Sequence, residues 1–239
     1  MLLAAMAFGA CAGGVPKQRP AAATSATAHP GGAVTTATNS SVADRTAATA
    51  ALFKASDLPN NWQSTPRHHS TSNQERIAAQ LIACDHDSSK VHWSATTESP
   101  DFTTPNGVTL ARNDVDVGST TSDAEQLLVY AQRPEWPTCL NAAITPQYEN
   151  TFPDAKVTGS TTSALKAPAV LDKIVATRTT VTFNAPSGTI SLYADFVILQ
   201  YHRFIATLFF RDIITPFDTG LQQQLITTVA NRIKAAAAG

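Results

Sequence analysis

The stretch from Ile174 to Arg211 constrains this chain more than any other, because it reads as three consecutive strands. Ile174–Phe183 runs to the turn Asn184-Ala-Pro-Ser-Gly188. Thr189–Leu199 runs to the turn Gln200-Tyr-His-Arg203, and Phe204–Arg211 closes the meander. Ile190, Leu192, Ala194, Phe196 and Ile198 share one side of the second strand. Phe204, Ala206, Leu208 and Phe210 share one side of the third. A period of two, rich in β-branched and aromatic residues, marks strands that bury a face. These strands supply a core, and the final helix of the chain is expected to lie across their sheet.

The remaining elements follow from local signals. Ser72 with Glu75 makes a capping box, and Ile77, Leu81 and Cys84 recur on one face, predicting a helix over Ser72–Cys84. Val91–Thr97 and Val108–Val117 read as strands around the turn Thr104-Pro-Asn-Gly107. In the second of them Arg112, Asp114 and Asp116 fall on one side. Ser122–Gln132 reads as a helix, with Asp123 and Glu125 suiting its dipole. A helical stretch over Leu140–Tyr148 and a strand over Val157–Ala164 come next. A final helix is expected to open with Pro216 at its first position and a Thr215–Asp218 capping box, and to repeat Phe217, Leu221, Leu225, Val229 and Ile233. Leu58 and Trp62 are expected to pack on the core.

The amino-terminal region speaks to compartment. Phe8-Gly-Ala-Cys11 follows a short apolar run and resembles the lipobox of bacterial lipoproteins, in which the Cys thiol carries a diacylglycerol. No Lys or Arg precedes Cys11, so a basic signal region is expected upstream of Met1, and residues 1–10 are read as a truncated signal peptide. Residues 11–49 hold the lipidated Cys and an Ala/Thr/Ser/Gly/Pro linker with few large apolar residues; such composition predicts a disordered tether. Residues 50–239 form the expected single domain. The expected location is the outer face of the cytoplasmic membrane, held there by lipid.

The chain has three cysteines. With Cys11 acylated, Cys84 and Cys139 remain as a pair for an oxidising compartment. A disulfide between them closes a loop of 55 residues, which the chain-entropy model values at about 4 kcal/mol. The alternative is a metal-ligating or nucleophilic Cys.

These elements run in one order: a helix ending in Cys84, strands, a helix, Trp136-Pro-Thr-Cys139, the late meander, and a terminal helix carrying Ala230-Asn-Arg-Ile233. The order resembles the extracellular sensor domain of mycobacterial PknH-type kinases, and the free lipoproteins related to it, over about residues 50–235. The resemblance implies the fold class α+β, an antiparallel sheet flanked by helices in a single domain, with a ligand cleft and paired cysteines. Cys84 and Cys139 match one pair, and the family's second pair has no counterpart here. In function it implies ligand sensing or binding, with lipid standing in for the kinase's transmembrane helix.

The net charge of -1 disfavours a dedicated nucleic-acid binder, so no nucleic-acid partner is expected. No fingerprint for a phosphate loop, a dinucleotide fold, a nucleophile elbow or a zinc protease occurs. His68, His69, Asp85, His86, Asp87 and His92 are the sharpest metal-ligand candidates, but adjacent histidines in an extended loop point apart, and no metal, catalytic residue or cofactor is assigned. Candidate ligand contacts are Arg112, Asp114 and Asp116 along one strand face, with Trp62 and Trp93 as stacking groups; Trp136, Tyr130 and Tyr148 are further aromatic candidates for such a surface. The expected function is that of a lipid-anchored, non-enzymatic envelope domain binding a small ligand, a glycan or a protein. A metal-dependent hydrolase using the His/Asp loops, and a structural or chaperone-like lipoprotein, are the alternatives.

Overall fold

The computed structural model describes residues 34–67, 91–151, 154–171, 173–186 and 188–238. They form an α+β domain built on an eight-stranded antiparallel sheet. The strands are β1 (Gln63–Thr65), β2 (Trp93–Glu98), β3 (Asp101–Thr103), β4 (Leu110–Gly118), β5 (Lys156–Ala164), β6 (Ile174–Ala185), β7 (Gly188–Tyr201) and β8 (Phe204–Asp212). The described helices are α1 (Val34–Ala50), α2 (Thr121–Ala131), α3 (Trp136–Thr151) and α4 (Thr219–Ala238), with a 3-10 turn at Ala55–Asp57.

The expected meander is β6–β7–β8, and it forms the sheet's centre. The spatial order is β1-β3-β4-β8-β7-β6-β5, and β2 also pairs with β4. β2 and β3 lie end to end along the same edge of β4, separated at Pro100, whose ring nitrogen cannot donate to a ladder. Ser99 bridges the break by donating its N–H to Asn113 O (2.9 Å). The turn between β3 and β4 is the predicted Thr104–Gly107, where Gly107 takes a φ of +68°, a region that favours glycine.

Alternation along the strands creates two cores. One face carries Val115, Val117, Val197, Leu199, Ala206, Leu208 and Phe210, and packs against Ala48, Ala51, Phe53, Leu225, Val229 and Ile233. The other carries Val181, Phe183, Leu192, Ala194, Ile198 and Ile205, against Leu128, Tyr130, Trp136, Leu140 and Ile144 of α2 and α3. Leu58 is buried as expected, and Trp62 meets Phe217 edge-on at 6.1 Å.

Several boundaries differ from the sequence reading, each for a local reason. The linker expected to run through Thr49 ends sooner, because Val34–Ala50 is the helix α1. Its small residues Ala48 and Ala51 come into the core, and Asp44 ion-pairs with Arg203 (2.7 Å) while accepting from Ser94 Oγ (2.5 Å). α2 begins at Thr121 rather than Ser122, capped by Thr120: the Asp123 N–H donates to Thr120 Oγ1 (3.2 Å), and the Thr120 N–H to Asp123 Oδ2 (2.8 Å). β4 runs straight into this cap at Gly118, where a Cβ would lie 2.6 Å from Thr120 O. α3 begins at Trp136 rather than Leu140, since Pro137 suits a first helical turn. α4 begins at Thr219, with Asp218 as its cap, accepting from the Leu221 N–H (2.7 Å). Its buried stripe is Gln222, Leu225, Ile226, Val229, Ala230 and Ile233, so Leu221 lies at the edge of the stripe. Arg232 of the Ala230–Ile233 motif pairs with Asp57 through two contacts of 2.7 Å and ties α4 to the 3-10 turn. The helix expected over Ser72–Cys84, with Cys84 itself, lies outside the described residues.

Candidate functional site

Two polar places stand out. The first is the strip along β4. Alternation puts Arg112, Asp114 and Asp116 on one face, about 6.6 Å apart along the strand. Their register neighbours on β8 are Phe209, Thr207 and Ile205; on β2, Glu98 lies opposite Asp114 and Thr96 opposite Asp116. Arg67, just after β1, reaches across this strip. Its side chain is only 9% exposed, with Nη1 2.5 Å from Asp114 Oδ1 and 3.6 Å from Glu98 Oε2. Its Nε is 3.8 Å from Asp101 Oδ1, and its Nη2 donates to Asn113 O (2.9 Å). Arg112 lies 3.5 Å from Asp101 Oδ1 and stacks its guanidinium 4.8 Å from the Phe209 ring centroid.

Burial pushes the Asp116 carboxyl up to about 6; a hydrogen bond with Thr96 works against this, and the neighbouring Asp114 charge adds to it. Burial raises Asp114 as well, and the Arg67 and Arg112 charges offset only part of that rise. Asp116 can therefore exchange a proton near neutral pH, whereas Asp114 is held by an arginine. Residues 68–90, which continue from Arg67, lie outside the described residues, and with them His68, His69, Asp85, His86 and Asp87. Among the described residues no group of His, Cys, Asp and Glu is arranged to hold a metal ion.

The second place is a cavity of about 570 Å³ at the β7–β8 hairpin end. Gln200, Tyr201 and His202 line it from the hairpin, Lys173 and Val170 from the connection before β6, and Glu125 and Lys234 from α2 and α4. His202 turns the hairpin with a φ of +50°, a left-handed conformation uncommon for a residue with a Cβ. Gln200 Nε2 donates to His202 O (2.6 Å), and the His202 ring lies edge-on to Tyr201 at 4.5 Å. Lys173 Nζ sits 2.5 Å from Glu125 Oε1, and Lys234 Nζ donates to Val170 O (2.8 Å). A neighbouring cavity of about 490 Å³ shares Thr121 and His202, and reaches the Asp44–Arg203 pair.

The tryptophans do not converge. Trp62 packs beside Phe217 in the α1/α4 core, while Trp93 starts β2 at 36% exposure. Trp136 is buried edge-on to Tyr130 (5.1 Å) in the opposite core. The structure thus brings together Arg112, Asp114 and Asp116, and leaves Trp62 and Trp93 apart from them as stacking partners. Sequence reading missed Arg67, which follows a proline in a polar loop with no pattern to mark it. It also missed Lys173, Gln200, His202 and Lys234, which share no spacing; the left-handed turn residue His202 leaves no unusual signature in the sequence. Cys139 lies in the first turn of α3, half-buried.

No family model and no curated protein matches the chain. Among solved structures it is similar to the extracellular domain of PknH from Mycobacterium tuberculosis, at 10% identity and a TM-score of 0.43, covering 80% of this chain and 96% of that one. It is also similar to an uncharacterized protein from Mycobacterium smegmatis, at 9% identity and a TM-score of 0.36, covering 80% and 98% of the two chains.

Proposed function

We propose that this protein is a lipid-anchored extracytoplasmic domain of the cell envelope that binds a ligand without transforming it, and that the hairpin-end cavity holds the ligand. The observation that carries this reading is the cavity itself. Four separate segments supply its polar groups, and Lys173, Lys234 and Gln200 are each already positioned by a partner within the protein. Such preorganisation lowers the ordering cost of binding. Cys11, preceded by Phe8-Gly-Ala, supplies the proposed anchor, and residues 12–33, by composition, the spacer. Cys84 and Cys139 are proposed to form the domain's disulfide.

Anchoring is tested in cells on a chain carrying a complete signal. Cys11→Ala should shift the protein from the detergent phase to the aqueous phase and remove the acyl mass; unchanged partitioning would refute the anchor. Non-reducing peptide mapping of the exported protein should find Cys84 and Cys139 in one linked peptide, and free thiols at both would refute that pairing.

One observation favours a second reading, that of an envelope hydrolase. Asp116, raised to about 6 on a half-buried strand face, has the protonation range of a general acid–base. If a hydrolytic activity is found in the purified protein and Asp116→Asn abolishes it without loss of folding, this second reading replaces the first.

A further inference from the structure

We infer that the hairpin-end cavity is an oxyanion site, taking a small ligand through a carboxylate or phosphate group, with Lys234 as the main cationic contact and Glu125 as an internal competitor for Lys173. The inference rests on the binding reading above and adds the ligand's charge and the residues that select it.

The charge of the lining decides the class of ligand. The described lining residues include two lysines, Lys173 and Lys234, and one carboxylate, Glu125. Asp172, between Leu171 and Lys173, lies outside the described residues. Glu125 neutralises Lys173 at 2.5 Å, which leaves the Lys234 ammonium without a countercharge among the described lining residues. Lys234 is half-buried, and one of its three donors goes to Val170 O (2.8 Å). A partly desolvated ammonium with two donors left over gains most from an anion, because a carbonyl dipole does not replace the hydration it has lost. Tyr201 and Thr121 bring hydroxyls that can donate to the same group. The amino terminus of α2 adds nothing, since Thr120 and Asp123 already cap it. The nearby Arg203 is committed to Asp44 through contacts of 2.7 and 3.1 Å. Set against the described lining residues alone, a cationic ligand would meet a lysine with no countercharge, and a neutral one would leave that charge unmatched.

The two charged contacts predict opposite effects. Lys234→Gln removes the lysine that lacks a countercharge among the described lining residues. Glu125→Gln releases Lys173 to the ligand. A purely structural role for either residue would lower binding in both variants or in neither.

The test is a calorimetric and amide-NMR titration of the 239-residue chain. The soluble probes are glycerol 3-phosphate and succinate, and phosphatidylglycerol vesicles, with phosphatidylcholine vesicles as the uncharged control, cover a membrane headgroup. At least one anionic probe should bind, with shifts at His202 and Leu171. Lys234→Gln should weaken that binding about five- to tenfold, and Glu125→Gln should strengthen it about threefold. A gain of affinity cannot arise from misfolding, so the second variant keeps the test decisive if the first is unstable. Binding to the vesicles with the same pair of opposite effects supports the inference and assigns the ligand to lipid. Binding that is indifferent to both substitutions, or equal on phosphatidylcholine, overturns it. A flat titration with every probe also overturns it, and leaves membrane anchoring through Cys11 to its own separate test.

Discussion

The two faces of the sheet bury their residues by different means. The face under α1 and α4 is almost entirely apolar, and its charges are either paired or at the rim. Its deepest charge among the described residues, Asp195, is 1% exposed; it takes Arg178 through contacts of 2.6 and 2.7 Å and Gln222 Nε2 at 2.8 Å. The opposite face has an apolar core only where α2 and α3 cover β6, β7 and part of β8. Toward β4 it becomes a strip of carboxylates and arginines, with Asp116 raised by burial and, among the described residues, no arginine paired to it. A face that satisfies each charge is built for stability. A face that keeps a carboxylate titrating near neutral pH gives up stability there.

The largest expected effect compares neighbouring residues of β8 that point to opposite faces. Phe210 is fully buried between Phe53 and Phe217, whereas Phe209 is half-buried against Phe196 and Arg112. Phe210→Ala should cost about 4 kcal/mol and Phe209→Ala about 1–2 kcal/mol. Urea unfolding of the two variants measures the gap; equal losses would mean that the faces are covered alike.

Next comes the deep ion pair. Arg178→Ala strands the buried Asp195 carboxylate, and should cost about 3 kcal/mol. Combining Arg178→Met with Asp195→Asn should recover much of that loss, because no bare charge remains. If the double variant is as unstable as the single one, the pair matters for more than its charge balance.

The third effect has the opposite sign. Asp116 has a folded pKa above its unfolded value, so the folded protein holds that proton more tightly. Its contribution makes the fold more stable as pH falls through about 6, and the gain is complete near the unfolded value of about 4. Asp116→Asn should therefore stabilise the protein by about 2 kcal/mol at pH 7.5, and by almost nothing at pH 4. A melting-temperature difference that does not shrink on acidification would refute the raised carboxyl of Asp116.

The smallest effect tests the other face at its rim. Burial pushes the Asp44 carboxyl up, but hydrogen bonds from Arg203 and Ser94, with the Arg203 charge, outweigh it and hold it below the ordinary value. Its stabilisation is present above the unfolded pKa and fades as pH falls through the folded one, the reverse of Asp116. Asp44→Asn should cost about 1 kcal/mol at pH 7, since Arg203 is partly solvated and screened. The loss should shrink below pH 4, and a loss that grows there would contradict the pairing.

Much of the fold was legible because its signals are local. Alternation in Thr189–Leu199 and Phe204–Arg211 depends only on neighbours two residues apart, and it located β7 and β8 within a residue or two. The same rule put Arg112, Asp114 and Asp116 on one side of β4. α1 was not legible. Its Ala- and Thr-rich composition matches that of a linker, and what makes it part of the domain is close packing of Ala48 and Ala51 and a pairing with Arg203, 159 residues away.

The sequence by itself determined the strand faces, the hairpin turns and the charged strip, because each follows from backbone periodicity or from turn residues. Only the tertiary structure decided which helix covers which face, that Arg67 reaches Asp114, and that Lys173, His202 and Lys234 meet around one cavity. Those contacts join elements far apart along the chain. They depend on how the antiparallel order β4-β8-β7-β6 brings the two halves together, and no spacing within any one segment encodes that.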